Sequence, residues 1–192
     1  MNQIRLATPA DAETIRAIYA PYVVQTTFTF EYEIPTREEF LRRMESFSDY
    51  PWLVYEQEGR VVGYAYASPF NERAAYDWTA DLSLYLDMDC RGAGIGRKLC
   101  DCMIALLQLQ GVRNLYGIVT DPNPVSFNFH LKLGFEQKGH FDHIGFKHGK
   151  WLGVDFMAKD IAPAVPQPEP VVPFSRLDPT AVEAILAAYR EA

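Results

Sequence analysis

Arg91-Gly92-Ala93-Gly94-Ile95-Gly96 lies between the apolar run Leu82-Ser83-Leu84-Tyr85-Leu86 and a helical pattern through Ile95, Leu99, Met103, Leu106 and Gln110. A glycine-rich turn from a strand into a helix builds an anion site. The glycines let the backbone approach a ligand, and the first helical amides lack partners within the helix and carry partial positive charge. A pyrophosphate is the natural guest. The glycines alone would also serve a plain tight turn. Just ahead stands Asp81, an acid inside an apolar strand. Burial there raises a carboxyl pKa and makes a better base. Its alternative is a strand-edge carboxylate paired with a neighbour such as Arg73.

Two familiar phosphate motifs are excluded. No Lys-Ser or Lys-Thr pair follows the glycines, as a P-loop needs. The glycines fall mid-chain at 92, 94 and 96, and no acidic residue ends a following strand at the distance a dinucleotide fold requires. Asn123, Ser126 and His130 gather before Leu131-Lys132-Leu133-Gly134-Phe135; a lone histidine such as His130 is more often structural. His140, His143 and His148 surround a turn without further acidic or thiol ligands, so no metal site is expected. Cys90, Cys100 and Cys102 are odd in number and clustered, which points to free thiols in a reducing compartment.

These groups need a frame. The chain has 192 residues, 48% hydrophobic, with a net charge of −7. That length carries one domain with a sizeable core. The negative charge argues against a nucleic-acid partner. No apolar run reaches a membrane span, and the N-terminal residues lack a signal-peptide core, so a cytoplasmic protein is expected. The pattern predicts a strand over 3–7, then a helix capped by Thr8 with Pro9 at its first position. Thr36-Arg37-Glu38-Glu39 opens a second helix as a capping box. Strands follow over 52–56, 61–67 and 76–86, then the Ile95–Gln110 helix closed by Gly111, and a strand over 115–120. A short helix runs to Leu133, and strands are expected over about 136–142 and 153–159. The sum is an α/β (α+β) domain with a mixed sheet flanked by helices, over 1–162. Five prolines in residues 163–173 predict an extended linker over 163–177. An amphipathic C-terminal helix is expected over 178–192, packed on the same domain or on a second subunit.

Arg91, Gly94 and Gly96 fill Arg/Gln-x-x-Gly-x-Gly/Ala, and this resembles the pyrophosphate loop of the GNAT superfamily of N-acetyltransferases. Tyr50-Pro51-Trp52-Leu53-Val54, Val62-Gly63-Tyr64-Ala65-Tyr66-Ala67, Arg73-Ala74-Ala75-Tyr76-Asp77-Trp78-Thr79 and Gly145-Phe146-Lys147-His148-Gly149-Lys150-Trp151 are similar to the phosphinothricin and methionine sulfone/sulfoximine acetyltransferase subgroup. The resemblance implies the GNAT fold, a mostly antiparallel central sheet, acetyl-CoA as co-substrate and no metal. It implies acetylation of a small amino-acid-like amine by direct attack, and a homodimer.

Acetyl transfer needs an amine stripped of a proton, a thioester held at attack distance, a donor for the oxyanion and a stabilised thiolate. The resemblance assigns the second and third tasks to the backbone of Leu84, Tyr85 and Leu86, and the pyrophosphate to Arg91, Gly92, Ala93, Gly94, Ile95, Gly96 and Arg97. It places Asn123 and Ser126 along the coenzyme, and His130 as donor to the thiolate. Asp81 becomes the base, where the resembled enzymes usually carry glutamate. For the acceptor it implies Arg73 as a carboxylate clamp, Phe28, Phe30, Tyr76 and Trp78 as pocket walls, and Lys147 or His148 as added positive charge. Leu152 and Met157 stand where more polar or aromatic residues are usual. A protein or peptide acetyltransferase and a non-catalytic acyl-CoA-binding module are the alternatives.

Overall fold

A computed structural model of the chain describes residues 2–190. The elements run β1 (Asn2–Leu6), α1 (Ala12–Gln25), α2 (Arg37–Ser46), β2 (Trp52–Gln57), β3 (Arg60–Pro69), β4 (Thr79–Leu86), α3 (Ile95–Gln110), β5 (Asn114–Asp121), α4 (Pro124–Lys132), β6 (Glu136–Lys147), β7 (Lys150–Asp160) and α5 (Pro179–Ala187). Seven strands form one sheet in the order β1-β2-β3-β4-β5-β7-β6. Among the described residues only β4 and β5 pair in parallel. The sheet is therefore mixed and mostly antiparallel.

Strand alternation sorts the apolar residues into two cores. Leu53 and Tyr55 of β2 face α3, where Leu99, Met103 and Leu106 are fully buried. Trp52 and Val54 face the other way, against Ile15 of α1 and Phe40 of α2. Local chemistry sets the helix ends. Thr36 caps α2 by accepting from the Glu39 N–H, and Gly111 ends α3 in the left-handed region at φ 94°.

The feature that matters for function is where β4 and β5 part. Their pairing runs only from Thr79, Ala80 and Asp81 to Asn114, Leu115 and Tyr116. Beyond that, β4 stays with β3 as far as Leu86, and β5 stays with β7 as far as Asp121. Each strand follows its outer neighbour, so a gap opens at the carboxyl ends of the parallel pair. Crevices at such ends are where open α/β sheets bind ligands.

Three expectations change. The strand expected over 76–86 begins at Thr79, because Ala74–Tyr76 closes a 3-10 turn through Tyr76 N–H to Arg73 C=O. Tyr76 is thus a turn residue. The last two strands are longer than 136–142 and 153–159, and they meet in a tight hairpin. His148 at φ 50° and Gly149 at φ 75° make that turn. β6 is a sheet edge, exposed along most of its length, so no alternating apolar pattern marks it. His140 is not idle near a turn: its Nδ1 lies 2.7 Å from Asp155 and its Nε2 3.0 Å from Asp142.

The proline-rich segment crosses the same body. Trp78 Nε1 donates to the Glu169 carbonyl at 2.8 Å. Buried Gln110 donates through Nε2 to Asp49 O at 2.8 Å and to Val172 O at 2.9 Å. Val182 and Leu186 of α5 join the α3 core. Met1 and residues 191–192, the end of the stretch expected as helix over 178–192, lie outside the described residues. No described helix is long and apolar enough to cross a membrane.

Candidate active site

The gap between β4 and β5 opens into a cavity of about 460 Å³. Its walls come from β4, the glycine loop, β5 and α4, with Tyr22 and Phe28 entering from the α1 side. The cavity thus reaches both faces of the sheet.

Backbone direction supplies its polar edge. The Leu86 N–H and C=O point away from β3 into the gap, where the Tyr22 hydroxyl accepts from the first at 3.2 Å and donates to the second at 2.7 Å. With a two-residue period, the Leu84 amide and carbonyl point into the same gap. The Tyr85 side chain turns to the opposite face, packed among Tyr19, Tyr22 and Tyr64.

The other end of the cavity is the glycine loop. Gly92 and Gly94 hold φ of 85° and 78°, a region costly for other residues. A Cβ on Gly96 would stand 3.3 Å from the Phe129 ring, a tight contact, so α3 and α4 pack closely at this glycine. No acidic residue occupies the first turn of α3. Its amides keep their attraction for an anion. Ile95 is buried in the core, so only its backbone can serve a ligand. Arg91 lies over the Tyr22 ring at 5.2 Å, and Arg97 donates to the Lys132 carbonyl at 3.0 Å. Both arginines line the cavity; Ala93 does not touch it.

On α4, Asn123 caps the helix by accepting from Ser126 N–H at 3.1 Å. His130 Nδ1 lies 2.8 Å from the Ser126 carbonyl. A carbonyl only accepts, so the imidazole proton is assigned to Nδ1 and Nε2 carries the lone pair. Burial pulls the His130 pKa below its usual value. Donation from Nε2 requires the imidazolium, which that burial disfavours; acceptance does not. Nε2 faces Gly117, where a Cβ would sit 2.5 Å away.

Asp81 is the most perturbed carboxyl of the site. Burial drives its pKa up to about 7, with the Leu82 amide pulling weakly the other way. Its Oδ1 is buried without a hydrogen-bond partner. No ion pair joins it to Arg73 among the described residues, so the surface-pair alternative is not what the fold builds. Asp81 lies one residue before the β4 stretch that lines the cavity.

The other acceptor-side residues scatter. Phe28 lines the cavity. Phe30 instead packs on Gly145, where a Cβ would stand 2.3 Å from its ring. Lys147 is buried, donates to the Thr29 carbonyl at 2.7 Å, and has its pKa lowered by burial. Phe30 and Lys147 therefore fix the segment carrying Phe28. Arg73 and Tyr76 are exposed beside their 3-10 turn, Trp78 is tied to the proline-rich segment, and His148 is exposed at the hairpin tip. None of these four lines the cavity. Tyr22, Ser83, Thr120 and Phe129 also line the cavity, although none belongs to a sequence motif. Ser83 carried a visible signal, a hydroxyl inside an apolar strand. Tyr22 did not, since its spacing on α1 reads as core.

The sequence profile described as "Acetyltransferase (GNAT) domain" matches residues 4–154. A phosphinothricin N-acetyltransferase of Streptomyces viridochromogenes is 35% identical over 176 residues, 91% of this chain and 96% of that protein. An L-methionine sulfoximine/L-methionine sulfone acetyltransferase of Pseudomonas paraeruginosa is 32% identical, over 83% of this chain and 95% of that one. The crystal structure of a GNAT superfamily phosphinothricin acetyltransferase from Sinorhizobium meliloti in complex with AcCoA superposes with a TM-score of 0.84. That pair is 34% identical and covers 92% of this chain and 97% of the other. The chain belongs to the GNAT family of acetyltransferases and is an N-acetyltransferase.

Proposed function

We propose that this GNAT enzyme moves an acetyl group from acetyl-CoA to the amino group of a small amino-acid-like acceptor of the phosphinothricin or methionine sulfone type, by direct attack. The observation that carries this reading is the cavity joining the glycine loop to the β4–β5 gap, with Asp81 at the edge of that gap. The pyrophosphate binds the Gly92–Gly96 amides at the α3 N-terminus, flanked by Arg91 and Arg97. The pantetheine arm lies in the gap, pairing with β4 and passing Asn123 and Ser126. The Leu84 amide donates to the carbonyl oxygen as it becomes an oxyanion. Asp81, with a pKa near working pH, takes the ammonium proton. Nε2 of His130 offers a second proton acceptor. Direct transfer is supported by two of the three cysteines: burial pushes the Cys100 and Cys102 thiols up to about 12, far from nucleophilic thiolates. Three free thiols also suit a reducing, cytoplasmic setting. The exposed Phe141, Ile144, Phe146 and Trp151 along the β6–β7 edge support association of two copies there.

The test is coenzyme A thiol release from acetyl-CoA with phosphinothricin, methionine sulfoximine, methionine sulfone, ordinary amino acids and short peptides. Saturable release with the first three is expected. Release with peptides alone would refute the small-acceptor reading, and acetyl-CoA binding without release would refute turnover.

A further inference from the structure

Asp81 has a neighbour on either side in the sheet. Ser68 of β3 stands opposite it on one flank and Tyr116 of β5 on the other. Alternation turns Asp81, Ser83 and Tyr116 to the α1 side, because Ala80, Leu82 and Leu115 belong to the α3 core. Phe70 follows β3, held by its N–H to the Thr79 carbonyl at 3.4 Å. With β4 between them, the backbones of β3 and β5 run roughly 10 Å apart. The Phe70 and Tyr116 rings nonetheless meet, with centroids 4.7 Å apart and planes at 37°. Rings from two strands that do not pair touch only by leaning toward each other over the strand between them. Phe70 starts level with Thr79 and Tyr116 level with Asp81, so the contact crosses β4 between those two residues. Tyr76 backs Phe70 at 5.9 Å. The cavity lies toward the other end of Asp81, beginning at Leu82 and Ser83, and neither Phe70 nor Tyr116 lines it. Asp81 is half-buried, with Oδ1 fully covered. No charged side chain of β3, β5, α1 or α2 acts on its carboxyl. The titratable groups beside it are Tyr66 of β3, whose hydroxyl feels the Asp81 charge, and Tyr116. Cover by rings, and not a neighbouring charge, is what sets this carboxyl apart.

We propose that Phe70 and Tyr116 are positioning residues for acetyl transfer: their rings roof Asp81 on its Thr79 side, shut bulk water out there and leave the cavity as the way to its carboxyl. This rests on Asp81 serving as the base in the reading above. Water removed from one side of a carboxyl disfavours its charged form when no charge or strong donor replaces it. Asp81 is moved in that direction, up to about 7. The two rings act through Asp81 and touch neither the coenzyme loop nor the acceptor.

The experiment is the kcat/KM–pH profile of wild type, Phe70→Ala, Phe70→Leu and Tyr116→Phe, using whichever of phosphinothricin and methionine sulfone the wild type acetylates. Phe70→Ala opens the roof and should move the acid limb down from about pH 7 by about 1 to 2 pH units, part of the roughly 3–5 that complete burial can produce. Phe70→Leu restores an apolar cover and returns the limb toward wild type. Tyr116→Phe keeps both rings and leaves the limb in place. An unmoved limb in Phe70→Ala, with only lower thermal stability or a raised amine KM, overturns the proposal: the rings would then be packing or an acceptor wall. So does a displaced limb in Tyr116→Phe, which would make the hydroxyl the active group. Should Phe70→Ala not fold, Tyr116→Ala opens the same roof from β5 and carries the same expectations. A second readout needs no acceptor. Between pH 4 and 7 the folded protein keeps the Asp81 proton that the unfolded chain has lost, so wild-type stability to urea falls as pH rises through that window. The fall should be shallower in Phe70→Ala, and an equal fall overturns the proposal. If wild type acetylates no amine, the acetyl-transfer reading fails, and the urea measurement still decides whether the rings roof Asp81. If wild type is active with its limb near pH 7 and Phe70→Ala matches it, only this inference fails.

Discussion

Asp81→Asn should stabilise the free enzyme while destroying its activity. The carboxyl is raised from 3.8 to about 7 by burial. Its neutral form is therefore favoured in the fold and its ionised form disfavoured. Between pH 4 and 7 the folded protein holds a proton that the unfolded chain has lost, so this group's contribution to stability falls as pH rises through that window. The gap of about 3 pKa units is worth up to about 4 kcal/mol above pH 7. Asparagine has no charge to bury. Urea unfolding of both proteins at pH 4 to 9 should show nearly equal stability at pH 4 and a widening advantage for Asp81→Asn up to pH 7, flat beyond. In parallel, wild-type kcat/KM should fall below about pH 7, and the variant should lose about 10²- to 10⁴-fold in kcat, the usual contribution of a general base. A stability difference independent of pH would refute the buried-carboxyl argument. Undiminished turnover in Asp81→Asn would refute the base.

Other substitutions read separate parts of the site. Gly117→Ala places a Cβ 2.5 Å from His130 Nε2, so the ring must move; kcat should fall on the order of 10²-fold, as for an ångström-scale displacement, and an unchanged kcat would argue that the His130 position is immaterial. Gly94→Ala meets no atom within 4 Å but must hold φ 78°; it should lose about 1–2 kcal/mol of stability and weaken acetyl-CoA binding, seen by urea unfolding and calorimetric titration. Gln110→Leu strips a donor from the Asp49 and Val172 carbonyls. It should lower unfolding free energy by about 2 kcal/mol without changing the acetyl-CoA KM.

The glycine loop, the Ile95–Gln110 helix and the Gly111 stop were all legible because each is a local event. A glycine forced into the left-handed region, a capping threonine or an amphipathic period is decided within a few residues of chain. Asp81 was legible for the same reason, as an acid in an apolar strand. The β6–β7 hairpin was only half legible, since an exposed edge strand needs no apolar alternation. The start of β4 is not legible, because nothing in Arg73-Ala74-Ala75-Tyr76 announces a 3-10 turn.

What the sequence determined by itself is therefore the set of local conformations and the residue types at the anion loop. The tertiary structure decided which of them meet. The gap exists because β4 and β5 follow different outer strands after Asp81, a consequence of pairing between segments distant in sequence. The pKa of Asp81 follows from burial that no neighbour in the chain imposes. Phe30, Trp78 and Lys147 were drawn into holding Gly145, the proline-rich segment and Thr29 by contacts reaching across 91 to 118 residues of chain for the two hydrogen bonds. Residue type sets what a side chain is able to do, but its partners are chosen by long-range packing, and that information is absent from any short stretch of the chain.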